Sequence, residues 1–112
     1  MLGTIRYYDR VVETMGGLSN VQSFFKFYLV PGGGHMSPQG TSNPDANPPA
    51  VAAGQFYQLL VDWVEKGIAP DRIEIRSPKA TPAMITQPIC PYPQKATYVS
   101  GDPTLAASFT CS

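Results

Sequence analysis

Apolar and polar residues alternate along this chain with two different periods. Near the N-terminus Ile5, Tyr8, Val12 and Met15 recur at steps of three and four, with Arg6, Asp9, Arg10 and Glu13 between them. This spacing predicts an amphipathic helix over residues 4–15. Gly16 and Gly17 end it, because glycine accepts the backbone conformation that follows a helix C-terminus. After a connection over residues 18–23 comes Phe-Phe-Lys-Phe-Tyr-Leu-Val, residues 24–30, apolar at every position but Lys26. Its aromatic and β-branched content and its length predict a strand. Near-continuous hydrophobicity predicts burial on both faces, as in a parallel sheet covered by helices. Such a strand needs neighbouring strands to pair its backbone groups.

Pro31 stops that strand, and Gly32, Gly33, Gly34, His35 and Met36 follow directly. A polar loop over residues 37–47 leads to Asn47 as candidate N-cap and Pro48 as first residue of a second helix. That helix is predicted over residues 49–66, with Phe56, Leu59, Leu60, Trp63 and Val64 on its apolar face and Gly67 at its end. Residues 71–76 read as a short last strand with Ile73 and Ile75 inward. Beyond Ser77 turns prevail, with an extended segment near residues 96–99. The pattern is that of an α/β protein: a helix-strand-loop-helix portion of a doubly wound sheet, followed by an irregular proline-rich tail. No repeat and no second domain is visible, so residues 1–112 form one unit.

Composition sharpens this picture. Charged residues make up 14% of the chain, against about 25% for typical soluble proteins. A chain so poor in charge has trouble covering its own surface, which suits a piece whose neighbours cover part of it. Eight basic residues balance eight acidic ones and no basic run exists, so a nucleic-acid partner bound through phosphates is not expected. No apolar run approaches the roughly 20 residues needed to span a bilayer, so no membrane partner is expected. Arg6, Asp9 and Arg10 interrupt any apolar stretch that would resemble a signal peptide. Oligomeric state is not legible.

The residues able to do chemistry are few. The chain has one histidine and two cysteines, which cannot complete a metal site, and neither metal nor cofactor is expected in this chain. Cys90 and Cys111 are either two unrelated thiols or a disulfide. The disulfide is favoured because a proline-rich tail with little core gains most from a staple, about 3 kcal/mol for a loop of roughly 20 residues. His35 follows the predicted buried strand directly. In open α/β sheets ligands bind beyond the carboxyl ends of the strands, and an imidazole there can accept and return a proton near neutral pH. Position alone also allows an exposed loop histidine without a role. The glycines before it do not make a dinucleotide fingerprint, since Ser37 stands where a third glycine is needed, and no lysine follows for a P-loop. No serine lies in a Gly-x-Ser-x-Gly setting, so a complete serine hydrolase is not present. Asp45 and Asp62 are formal candidates for an acid, but the first reads as a turn residue and the second as the polar side of the second helix. Phe24, Phe25, Phe27, Tyr28, Phe56, Tyr57 and Trp63 read first as core, and second as the lining of a phenolic pocket.

Several runs together, FFKFYLVPGGGH, LLVDWVEKGIAPD, ICPYPQKATYVSGD and AASFTCS, with the first helix TIRYYDRVVETMGG, resemble the C-terminal region of tannases and feruloyl esterases. The resemblance covers nearly the whole chain. It implies an α/β-hydrolase with a Ser-Asp-His triad and a large lid domain that hydrolyses esters of phenolic acids. It implies that His35 is the catalytic histidine, with the nucleophile, the acid and the lid outside this chain. A structural calcium in that lid would belong to the parent protein. By the same resemblance Cys90 and Cys111 match the family's tail cysteines, which supports their pairing and a secreted or periplasmic location. One position departs from the pattern. Members usually carry a cysteine directly after the histidine, bonded to a cysteine beside the nucleophile, whereas Met36 stands here. The expectation is a 112-residue segment that supplies the histidine of a carboxylic-ester hydrolase and is inactive alone. The rival expectation is a non-catalytic remnant that serves as an interaction or aromatic-binding module.

Overall fold

A computed structural model describes residues 2–33, 48–77 and 84–112. The N-terminal pattern forms helix α1, Leu2–Thr14. Ile5, Tyr8 and Val12 turn inward as the period requires, and Tyr8 is 1% exposed. Met15 departs from that face and lies half exposed. The amides of Met15 and Gly17 bond to Val11 O and Val12 O at 2.9 Å each, closing the helix where the glycines stand. The connection expected next contains a short helix, α2, Leu18–Gln22, fastened by Asn20 Nδ2, which donates to Met15 O and Gly16 O.

In the apolar run 24–30, Phe24 still belongs to the turn after α2, and residues 25–30 form no continuous strand. Among the described residues the run's only bridge pairs Tyr28 with Pro91, and Tyr92 N donates to Phe27 O at 2.7 Å. A strand is defined by its ladder, and the neighbours that would build one on the free edge are not among the described residues. The two-faced packing is nonetheless present. Successive side chains of an extended segment point to opposite sides. Phe25 and Phe27 meet the Tyr8 ring of α1, at 5.1 and 5.4 Å between centroids. Lys26 and Tyr28 face the other helix, α3, Gln55–Lys66, through Trp63 and Phe56. The segment thus lies between two helices, as its hydrophobicity demanded.

Helix α3 starts later than Pro48 and Pro49 suggest. Residues ahead of it run extended, with Ala50 N bonded to Arg76 O at 2.9 Å. Gly54, at φ 76°, turns the chain into the helix, a conformation that favours glycine. Gln55 then ties the helix start to its surroundings, its Oε1 accepting from Ala52 N at 3.0 Å while its Nε2 donates to Glu74 O at 2.8 Å. Gly67 ends the helix as expected.

The tail is more regular than its prolines suggest. Strand β1, Ile73–Arg76, pairs antiparallel with β2, Thr86–Ile89, in the register Ile73 with Ile89 and Arg76 with Thr86. Ile73 and Ile75 point inward and, with Ile89, make a small core against which Tyr28, Val30, Val51 and Leu59 pack. Strand β3, Ala96–Tyr98, pairs with β4, Phe109–Cys111, which follows a 3-10 turn at Ala106–Ser108. Cys90 and Cys111 form a disulfide, Cα to Cα 5.6 Å, joining the end of β2 to β4. Both sheets are two-stranded and antiparallel, so the described residues contain the layers of an α/β protein without a parallel strand pair.

Candidate functional site

The carboxyl end of the extended segment is built as a tight turn. Gly33 N donates to Val30 O at 3.2 Å, with Pro31 and Gly32 at the two central positions. Gly32 has φ 69°. Proline followed by a residue of positive φ is the signature of a type II turn, which requires glycine or asparagine at its third position. A side chain at Gly32 would also be crowded, since its Cβ would stand 3.1 Å from Pro48 Cγ. Pro48, the first described residue after Gly33, therefore seats against this turn. Gly33 is the last described residue on the near side, and His35 comes two residues later. His35, Met36, Asp45 and Asn47 all lie outside the described residues.

The scaffold below this turn is anchored on both faces. On the α1 side, Tyr8, Phe25, Phe27 and Tyr92 form one aromatic cluster, with Tyr92 5.6 Å from Phe27 and 5.8 Å from Tyr8. Tyr8 donates its hydroxyl to Phe25 O at 3.2 Å, and burial raises its pKa above the ordinary tyrosine value. Gln22 Nε2 donates to Tyr92 O at 3.2 Å. On the α3 side, Tyr28 donates to Pro70 O at 3.1 Å and Asp71 O at 2.8 Å. Burial, and then the negative charge of Asp71 nearby, push the Tyr28 phenol up to about 12. Lys26 Nζ also donates to Pro70 O and lies 6.0 Å from the centre of the Trp63 ring.

Asp62 is not poised as a triad acid by these contacts. Its Oδ1 accepts from Lys66 Nζ at 2.8 Å and Gln58 Nε2 at 3.0 Å, and those bonds hold its carboxyl below the usual carboxylate range. All three lie on one helix and face solvent in part, an i,i+4 surface arrangement. The aromatic residues are divided between the α1 and α3 packing layers rather than gathered round one cavity; Phe25, Phe27, Tyr28 and Trp63 are part-buried, whereas Phe24, Phe56 and Tyr57, expected first as core, are exposed. Lys26 and Tyr28 were hidden from sequence reasoning as anchoring residues, because their partners lie 42 to 44 positions away. The one hint was a lysine in an otherwise apolar run. Among the described residues no three His, Cys, Asp or Glu side chains converge as a metal site, and no helix is long and apolar enough to cross a membrane.

Against this geometry, comparison with known proteins gives a consistent result. A family model described as tannase and feruloyl esterase matches residues 1–112. A mono(2-hydroxyethyl) terephthalate hydrolase of Piscinibacter sakaiensis is 40% identical over 99% of this chain, which spans 17% of that protein. A probable feruloyl esterase of Arthroderma benhamiae is 34% identical over 98% of this chain and 20% of its own length. The crystal structure of an esterase from Aspergillus oryzae superposes with a TM-score of 0.72 at 28% identity, covering 97% of this chain and 24% of that one. The crystal structure of feruloyl esterase B from the same organism does so at 0.70 and 24% identity, over 97% of this chain and 23% of that one. The chain spans about a fifth of the length of the curated relatives it matches.

Proposed function

Because the chain belongs to the tannase and feruloyl esterase family, we propose that residues 1–112 are the C-terminal part of the catalytic domain of a serine carboxylic-ester hydrolase, and that His35 is its general base. The serine, the acid and the lid lie outside these residues in this reading, and the segment 24–30 is one strand of the parent's doubly wound sheet. The observation that carries it is the placement of the turn. An extended segment covered by a helix on each face ends at Pro31–Gly32, and the chain's single histidine follows two residues beyond Gly33. That is where open α/β sheets carry the groups that meet ligands.

The chemistry is acyl transfer through a serine ester. The serine oxygen attacks the ester carbonyl while His35 takes its proton. His35 then hands that proton to the departing alcohol, and the acid opposite holds the imidazole and stabilises its charged form. Water repeats the two steps on the acyl-enzyme and releases the carboxylic acid. The relatives named for feruloyl and terephthalate esters share an aromatic acyl group, and esters of aromatic acids are the substrate class we assign. The disulfide favours an oxidising compartment, so the parent is secreted or periplasmic in this reading.

The test is a fusion in which these 112 residues replace the matching segment of the Arthroderma benhamiae protein. The folded fusion should hydrolyse a feruloyl ester, and His35→Ala should lower kcat by several orders of magnitude, on the scale of other triad histidines. Hydrolysis that persists in His35→Ala would overturn the assignment. One observation keeps the non-catalytic reading in play. Leu2, Tyr57 and Val64 are 71%, 71% and 76% exposed on the helices. A well-folded, monomeric 112-residue chain that binds no partner segment would count against it.

A further inference from the structure

Lys26 interrupts an apolar run, and neither the fold nor the proposed chemistry accounts for it. An ammonium in such a place costs free energy unless it is paired or hydrogen-bonded, and a leucine or methionine would fill the same volume without that cost. The lysine has a specific partner. It and Tyr28, two positions on and hence on the same face, both donate to the carbonyl of Pro70, and Tyr28 also reaches Asp71 O. Pro70 and Asp71 lie in the connection between α3 and β1, two residues ahead of the buried Ile73. The ring of Trp63 flanks the ammonium and that of Phe56 flanks Tyr28.

Among the described residues, the position of segment 24–30 rests largely on such contacts. A strand in a sheet is fixed by a row of backbone bonds on each edge. Here, among the described residues, a single bridge, Tyr28 with Pro91, which includes the bond from Tyr92 N to Phe27 O, serves one edge. The side chains at positions 26 and 28 hold the segment from the α3 face, and only Leu29 separates Tyr28 from the Val30–Gly33 turn.

We propose that Lys26 and Tyr28 are positioning residues, a two-point clamp on the carbonyls of Pro70 and Asp71 that sets where segment 24–30 stands and so where the turn presents His35. The functional part of this inference rests on the reading of His35 as general base. The Tyr28 phenol, its pKa raised to about 12 by burial and by Asp71 nearby, is protonated at neutral pH, so its hydroxyl is a donor there. Neither side chain touches substrate; both act through the backbone they fix. Displacement of a catalytic group by about 1 Å can cost roughly 10²-fold in rate, so a clamp of this kind sits in the range that matters.

The test uses the full chain and its single histidine, whose imidazole C2 proton gives one resolved line in a proton NMR spectrum. Lys26→Met and Tyr28→Phe should displace or broaden that line, and Lys26→Arg, which keeps a charged donor, should return it to the wild-type position. Tyr98→Phe removes a hydroxyl-to-carbonyl bond in the tail and should leave the line where it was. A line unmoved in both clamp variants, or moved as far by Tyr98→Phe, overturns the clamp. Where Lys26→Met does not fold, Tyr28→Phe decides, since it keeps the ring. In the fusion, Lys26→Met should lower kcat by about 10- to 100-fold with KM unchanged. Unchanged kcat beside an inactive His35→Ala fusion rejects the clamp and leaves the base assignment standing. An active His35→Ala fusion rejects the base assignment, while the NMR line still reports whether the clamp holds the turn.

Discussion

The two ends of this chain are held together by different means. The tail, from β1 to Ser112, closes on itself. Its two hairpin-like pairs, its disulfide and its cross-links make a well-connected layer: Arg72 donates to Ala106 O, Ala106 N to Thr86 Oγ1 at 2.8 Å, and Thr86 N to Thr104 O at 2.9 Å. The front, α1 with segment 24–33 and α3, has a single bridge among the described residues. Aromatic contacts and side-chain bonds to carbonyls hold it, and it leaves large apolar side chains of both helices in water. The part that carries the turn toward His35 depends on side chains and offers apolar surface for neighbours. A relative of roughly five times the length, built on the same segment, has material to cover such a surface.

The strongest way to break the contrast is to attack the tail's core. Ile75 is 1% exposed and packs with Ile73 and Ile89. Ile75→Ala should cost about 2–5 kcal/mol, the transfer term plus a cavity, read as a lower midpoint in urea unfolding. Because Tyr28 and Val30 pack on this core, the loss should spread to the front. A midpoint unchanged in Ile75→Ala would mean the tail is not the folded half. Slightly smaller is the effect of the staple. A Cys90→Ser, Cys111→Ser double variant should lose roughly 2–4 kcal/mol, with the β3–β4 amides losing hydrogen-exchange protection first. If the β1–β2 amides exchange faster to the same degree, the tail is one cooperative unit and not two.

These two variants probe features that were visible in different degrees before any coordinates. The alternation of Ile73 and Ile75 named β1 and its inward face, and the glycine-bounded periodicity named α1. The pairing of Cys90 with Cys111 followed from family likeness more than from spacing. Strand β2 was not legible, because Pro88 reads as a breaker. An edge position opposite Glu74 tolerates it. The start of α3 was misplaced because Pro48 and Pro49 look like first-turn residues, while the pairing of Ala50 with Arg76, a contact 26 positions away, holds that stretch extended. Segment 24–30 was read as a strand from its composition, which reports burial; the ladder depends on neighbours that composition does not contain. At the site, the Gly-Gly-Gly-His sequence pointed to one residue, and the anchors at 26 and 28 waited on the fold, since nothing local connects Lys26 to Pro70.

The front can be probed more gently. Gly32→Ala forces a side chain into the left-handed region and against Pro48, and should cost about 1–2 kcal/mol. The loss should appear in segment 24–33 and leave the β3–β4 amides protected. Equal loss of protection in both regions would show that the two halves unfold together and would remove the contrast drawn here.

The smallest expected change comes from Tyr28→Phe. Pro70 O keeps its bond from Lys26, so only the hydroxyl's own contribution is lost, about 0.5–1.5 kcal/mol at neutral pH. Its pH dependence is the sharper signature. The Tyr28 pKa is raised in the folded chain to about 12 from 10.0, so the fold favours the protonated phenol. The stability it contributes is complete below pH 10 and is lost as the pH climbs through about 12. Unfolding followed between pH 9 and 12 should show a fall in stability that is shallower in Tyr28→Phe. Some of the fall should remain, because burial raises Tyr8 as well. A wild-type and a Tyr28→Phe curve that run parallel across that interval would mean that Tyr28 is not held against the Pro70–Asp71 connection in solution, and Lys26 alone would then hold the Pro70 carbonyl from the segment.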